Sequence, residues 1–174
     1  MRDPHGFDEF YRATAASVLR YAAAVTGDRS DAQDVTQEAY ARAWRQWQTV
    51  QHHPAPEAWV RVVVTRLATD RWRRLRGLRV ALERSGPPRP TRPPSEDTVL
   101  LVRALRLLPM RQRQALALHY LLDLTIEEIA AETGNPVGTV KSWLSRGRSR
   151  LARELQDLAP GRTFDINLEA TDVA

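Results

Sequence analysis

The chain contains no cysteine. Disulfides and thiolate metal ligation are therefore excluded, and the composition suits a reducing compartment. The four histidines, His5, His52, His53 and His119, show no ligand spacing, so no metal site is expected. No apolar run approaches the roughly 20 residues of a membrane-spanning helix. The opening Met-Arg-Asp-Pro-His-Gly does not read as a secretory leader. A soluble, cytoplasmic protein without membrane insertion is the expectation. No segment alternates with period two, so no strand is predicted. With no glycine-rich phosphate loop and no nucleophile–base pairing, neither an enzyme nor a bound cofactor is expected.

What is present is positive charge, unevenly placed. The formal net charge of +5 hides near neutrality over residues 1–56. Residues 57–84 carry eight arginines (positions 61, 66, 71, 73, 74, 76, 79 and 84) against three acids (57, 70 and 83). Residues 137–156 carry Lys141, Arg146, Arg148, Arg150 and Arg153 against Glu154. Two separated basic blocks, each on a predicted helix, point to two contact zones on a polyanion. A solvated helix face is the plainer alternative for either block.

Helical periodicity runs through Phe7, Tyr11, Val18, Ala22 and Val25 and breaks at Gly27-Asp28. Ser30 or Asp31 can cap a second helix with Val35, Ala39, Tyr40, Ala43, Trp44 and Trp47 inward. A polar loop over residues 48–56 follows. A third helix, about Glu57 to Arg76, has Trp59, Val63 and Leu67 inward. From Ser85 to Ser95 five prolines in eleven residues predict an extended spacer. Helix resumes near Glu96, with Val99, Val102, Leu105 and Leu108 inward. Pro109 opens another, with Leu116, Tyr120 and Leu121 inward.

Residues 125–148 are the most informative stretch. Thr125 and Glu128 form a capping box, Ile126, Ile129 and Ala130 an inward stripe, and Gly134 a left-handed stop. Asn135-Pro136 can start the next helix, Asn135 as its cap. Val137, Val140, Leu144, Gly147, Leu151, Leu155 and Leu158 form its buried side. Lys141, Ser142, Ser145, Arg146, Arg148 and Ser149 stay outside. A short helix, a turn and a cationic second helix fit a helix-turn-helix whose second helix enters the DNA major groove. The predicted fold class is all-α, in two small helical domains: residues 1–80, a Pro-rich linker at 81–95, residues 96–159, and a tail at 160–174.

Leu108-Pro109, Arg113, Tyr120-Leu-Leu-Asp-Leu-Thr125, Glu128-Ile-Ala130 and Gly138-Thr-Val-Lys-Ser142 together resemble region 4 of bacterial sigma factors. Residues 27–44, from Gly27-Asp-Arg-Ser to Ala43-Trp44, resemble regions 2.1–2.2. Pro56-Glu-Ala-Trp-Val60 and Ala68-Thr-Asp-Arg-Trp-Arg-Arg74 resemble regions 2.3–2.4. With these two domains on one short chain, the sequence resembles the extracytoplasmic-function (ECF) group, nearest its actinobacterial SigE-like subset. The match spans about residues 7–156.

The resemblance implies an RNA polymerase sigma factor that binds core polymerase and directs initiation through the −10 and −35 promoter elements. The implied partners are core RNA polymerase (β′ coiled coil and β flap) and promoter DNA, with an anti-sigma factor a further one to look for. For core docking it implies Asp34, Gln37 and Glu38, which at i, i+3 and i+4 share a helix face. For the −10 element it implies Arg66, Asp70, Trp72, Arg73 and Arg74. A base-capturing loop would draw on Gln48, Gln51, His52 or His53. For the −35 element it implies Thr139, Lys141, Ser142, Ser145, Arg146 and Arg148, with Arg113 as a phosphate anchor. The competing reading is a stand-alone helix-turn-helix regulator that does not bind core polymerase. A metal-dependent nuclease using Asp34 and Glu38 is a more distant one.

Overall fold

The computed structural model describes the backbone of residues 4–79 and 96–161, and the side chains of residues 4–74 and 97–161. The expected spacer at 81–95 and all but the start of the tail lie outside the described residues. Those described form eight helices and no strand: α1 (Pro4–Thr26), α2 (Arg29–Arg45), α3 (Trp47–Val50), α4 (Pro56–Arg79), α5 (Glu96–Arg106), α6 (Met110–Leu122), α7 (Ile126–Thr133) and α8 (Val137–Leu158).

In the first half α1, α2 and α4 pack on one another; in the second α8 packs on α5, α6 and α7. The halves also touch, α1 against α5 and α6 and α4 against α7, so one contiguous core runs through both. The expected stripes supply its interior: Val18, Ala22 and Val25 from α1, Val35 and Ala39 from α2, Val60 and Val64 from α4. The second half adds Leu116, Leu118, Ile129, Val140 and Leu155. Four residues expected to face inward are instead exposed: Tyr11 (45%), Val99 (39%), Leu121 (41%) and Val137 (38%). Val137 opens α8 before that helix has reached its neighbours, and Leu121 lies in the last turn of α6. A periodic pattern places a side chain on a face but not under a partner helix.

Helix ends follow local chemistry. Gly27 stops α1 at φ 68°, its N–H donating to Ala23 O at 2.9 Å. Asp28, rather than Ser30 or Asp31, caps α2, accepting from the Asp31 N–H at 2.9 Å. Asp28 already has extended backbone geometry and sits one residue past the glycine, so the cap forms there first. The loop expected over residues 48–56 is shortened by the single turn α3, stitched by Thr49 and Val50 N–H donating to Gln46 O. α7 has its full capping box: Thr125 Oγ1 accepts from the Glu128 N–H at 3.2 Å, and the Thr125 N–H donates to Glu128 Oε2 at 2.8 Å. Gly134 ends α7 at φ 66°. Asn135 does not cap α8, because the helix begins one residue later, at Val137; its Nδ2 donates to Thr133 O at 2.7 Å. Pro136 holds the cap position, and its carbonyl accepts from Thr139 and Val140.

Candidate nucleic-acid interface

α7, the turn at Gly134–Pro136 and α8 form the expected helix-turn-helix. Val140, Leu144, Gly147, Leu151 and Leu155 bury one side of α8, which fixes the rotation of the other. Lys141, Ser145, Arg146 and Ser149 are exposed on that outer side, with Thr139, Ser142 and Arg148 half-buried at its margins. Lys141 and Arg146 make no ion pair among the described residues, so both cations are available to a partner. Arg148 is drawn aside, its Nη1 donating to the Tyr120 hydroxyl at 3.4 Å. Ser149 donates back to Ser145 O at 3.1 Å. Arginine and lysine can read guanine O6 and N7 or hold phosphate, whereas serine discriminates less.

Arg113 does not belong to this surface. It is 3% exposed, with Nη1 donating to Val25 O at 2.6 Å and Nη2 to Leu108 O at 3.2 Å. Burial, with the charge of Arg106 nearby, pushes its guanidinium down to about 10. The carbonyl of Val25 belongs to the last turn of α1, where the helix dipole favours a cation. The position expected to anchor a phosphate therefore holds the two halves together. Two residues earlier, Arg111 is exposed, its guanidinium 5.8 Å from the centre of the Trp143 ring of α8. Arg111 was missed in the sequence. Its outward position follows from the i+2 offset, which puts Arg111 and Arg113 on different sides of α6.

On α4, Arg66, Asp70, Arg73 and Arg74 are exposed at i, i+4, i+7 and i+8, which is one helix face. Trp72 lies 44% exposed beside them. The other tryptophans differ: Trp47 is 4% exposed, and Trp44, Trp59 and Trp143 are half-buried. Phe7 lies 5.1 Å from Trp44 and Phe10 5.1 Å from Trp47, ring centre to ring centre, an aromatic cluster tying α1 to α2 and α3. Gln48 of α3 is exposed, and in the α3–α4 connection His52 and His53 are exposed and Gln51 is half-buried. His53 Nδ1 accepts from the Ala55 N–H at 3.0 Å, and Gln51 Nε2 lies 3.4 Å from His52 Nε2.

The acidic face of α2 points away from Val35 and Ala39. Asp34 and Gln37 are exposed and Glu38 half-exposed. Glu38 pairs with Arg42 at 2.8 Å and approaches Arg45 at 3.8 Å. The Arg42 hydrogen bond outweighs desolvation and holds its carboxyl below the usual range. Arg71 of α4 reaches Asp31 at 2.7 Å and Asp34 at 3.1 Å, so α4 orients the carboxylates of α2. Burial nonetheless raises the Asp31 carboxyl, with Arg71 opposing. Among the described residues no group of His, Cys, Asp and Glu could hold a metal ion, and no helix is long and apolar enough to cross a membrane.

Comparison with known proteins covers both halves. The family description "Sigma-70 region 2" matches residues 10–77 and "Sigma-70, region 4" matches residues 98–151. The RNA polymerase sigma-E factor of Streptomyces coelicolor is 34% identical over 152 residues, 86% of this chain and 85% of that one. The ECF RNA polymerase sigma factor SigM of Mycobacterium tuberculosis is 31% identical over 160 residues, covering 91% and 82%. The fold matches the sigma factor RpoE, co-crystallised with the anti-sigma factor NepR from Bartonella quintana. That match has a TM-score of 0.71 at 23% identity, over 87% of this chain and 97% of that one. With both regions present in order and relatives of this similarity along most of their length, the chain belongs to the ECF group of RNA polymerase sigma factors.

Proposed function

We propose that the sigma-factor activity of this chain is divided between its halves at named residues, with no chemistry of its own. Region 2, about residues 1–80, grips core polymerase through Asp34, Gln37 and Glu38 of α2. Arg66, Asp70, Arg73 and Arg74 of α4 follow the −10 strand, and the exposed ring of Trp72 stacks on an unpaired base. Region 4, about residues 96–159, lays the outer face of α8 in the major groove of the −35 element. Lys141 and Arg146 make the charged contacts there, Thr139, Ser142, Ser145 and Arg148 adjust the fit, and Arg111 takes the phosphate role first expected of Arg113.

The observation that carries this reading is the two exposed cations Lys141 and Arg146, with no ion pair among the described residues, on a helix whose rotation is fixed by five buried residues. The chain then works beside polymerase in the cytoplasm, with core polymerase and promoter DNA as its partners. An anti-sigma protein is a further one, by likeness to the Bartonella complex. A regulator that ignored core polymerase would have no use for a region 2 half. Transcripts initiated on genomic DNA by core polymerase plus this protein should share −10 and −35 motifs. Random or absent initiation would refute the reading.

A further inference from the structure

Trp143 of α8 is half-buried and packs against the core, yet its ring also carries a cation. The guanidinium carbon of Arg111, from the first turn of α6, lies over the ring at 5.8 Å from its centre. Gln114, 4% exposed one turn further along α6, accepts from Arg111 Nη1 at 3.3 Å. Arg111 makes no ion pair among the described residues. Two uncharged partners, an aromatic ring and an amide oxygen, therefore hold its guanidinium. A carboxylate in either place would hold it too, but would cancel its charge.

The register of the two helices brings the pair together. Gly147 follows Trp143 by one turn on the same side of α8. A β-carbon added there would meet the Leu116 side chain at 3.1 Å and Gln112 Cβ at 3.4 Å. Gln112 adjoins Arg111, so this close approach draws the start of α6 to the Trp143 turn. Trp143 also precedes Arg146 by three residues, which puts the two on one flank of α8. A helix lying in the major groove has a sugar–phosphate strand along each flank. Arg111 is thus set beside the strand on the Arg146 side.

We propose that Trp143 is a positioning residue for promoter binding, its ring holding the Arg111 guanidinium ready for a −35 phosphate on the Arg146 side. The proposal rests on the reading of Arg111 as a phosphate contact. An arginine loose in solvent gives up rotamer freedom when it takes a phosphate; one already laid on a ring gives up less. The ring attracts the positive charge and consumes no N–H donor, so the donors not spent on Gln114 remain for phosphate oxygens. Trp143 itself touches neither base nor phosphate in this arrangement and acts through Arg111.

The test is a double-mutant cycle on the full chain in holoenzyme, bound to a promoter taken from its own transcripts, with affinity measured against salt. Arg111→Ala should weaken binding and lower the slope of log affinity against log salt by about 0.9, the signature of one phosphate contact. Trp143→Leu keeps the apolar bulk without the π face and should weaken binding roughly threefold. Trp143→Phe should recover most of that loss. In the Arg111→Ala background Trp143→Leu should add less than about 1.5-fold, because the two side chains act as a unit. Circular dichroism checks each variant for folding, and Trp143→Met replaces Trp143→Leu in the cycle if the latter does not fold. Equal losses with and without Arg111, a folded Trp143→Leu that binds as the wild type does, or a Phe no better than Leu would each overturn the positioning role. An unchanged salt slope in Arg111→Ala would instead sink the phosphate reading on which the proposal rests.

Discussion

α4 and α8 have nearly equal lengths, 24 and 22 residues, and both are rich in arginine, yet they use it differently. α4 sinks Arg61 into a buried cluster with two carboxylates and spends Arg71 on Asp31 and Asp34. From its middle onward it presents Arg66, Arg73 and Arg74 to solvent. α8 buries no charge, and its one ion pair among the described residues is Arg150–Glu154 at 3.5 Å. A cation inside an apolar stripe becomes part of the scaffold. One on the opposite face is left for a partner. Identical side chains thus divide into buried and solvent-facing groups by their angle around the helix.

That contrast is most severely strained by removing a scaffold cation. Arg61→Ala leaves Glu132 buried without its fork partner and should lower the unfolding free energy by about 3 kcal/mol in a urea titration. A loss below about 1 kcal/mol would mean the cluster is solvated in practice. The matched change on α8, Arg146→Ala, should move stability by no more than about 0.5 kcal/mol. It should weaken binding to a −35 duplex by about 1–3 kcal/mol in fluorescence anisotropy if the residue reads a base. Gly27→Ala combines a left-handed φ with the Arg106 contact and should cost about 1–2 kcal/mol, seen as a lower thermal midpoint. A smaller loss of stability than at Arg61 or Gly27 is expected from Thr125→Ala, about 1 kcal/mol, through loss of the α7 cap. Hydrogen bonds from Thr125 hold the Glu128 carboxyl below its ordinary range. The stabilisation it contributes is therefore present above the unfolded glutamate value of 4.5 and fades as pH falls through the lower folded value.

Much of this was legible from residues alone. The capping box at Thr125 and Glu128, the left-handed Gly134 and the inward side of α8 depend on contacts within a few positions, and the sequence displays those directly. What it hid was tertiary. Arg113 looked like a surface cation, yet the charge-free run Ala115-Leu-Ala-Leu118 that follows it is buried whole, and Arg113 lies within reach of α1 only because the halves meet. Arg61 sits among Val60, Val62, Val63 and Val64, a hint of burial, but its partner Glu132 is unreadable without the fold. Asp28 took the cap from Ser30 and Asp31 because the glycine before it sets where α2 can begin. For the two arginines the missing information was which helix lies opposite.

The central claim is that α2 serves polymerase and α8 serves DNA. One experiment tests it most directly, by measuring Glu38→Ala and Arg146→Ala side by side for core polymerase affinity and for −35 duplex affinity. Glu38→Ala should weaken core binding by at least about fivefold, the loss of ~1 kcal/mol expected of an interface contact, and leave duplex binding unchanged. Arg146→Ala should do the reverse. If both variants lost both activities equally, or if Glu38→Ala bound core polymerase as the wild type does, the division of labour described here would be contradicted.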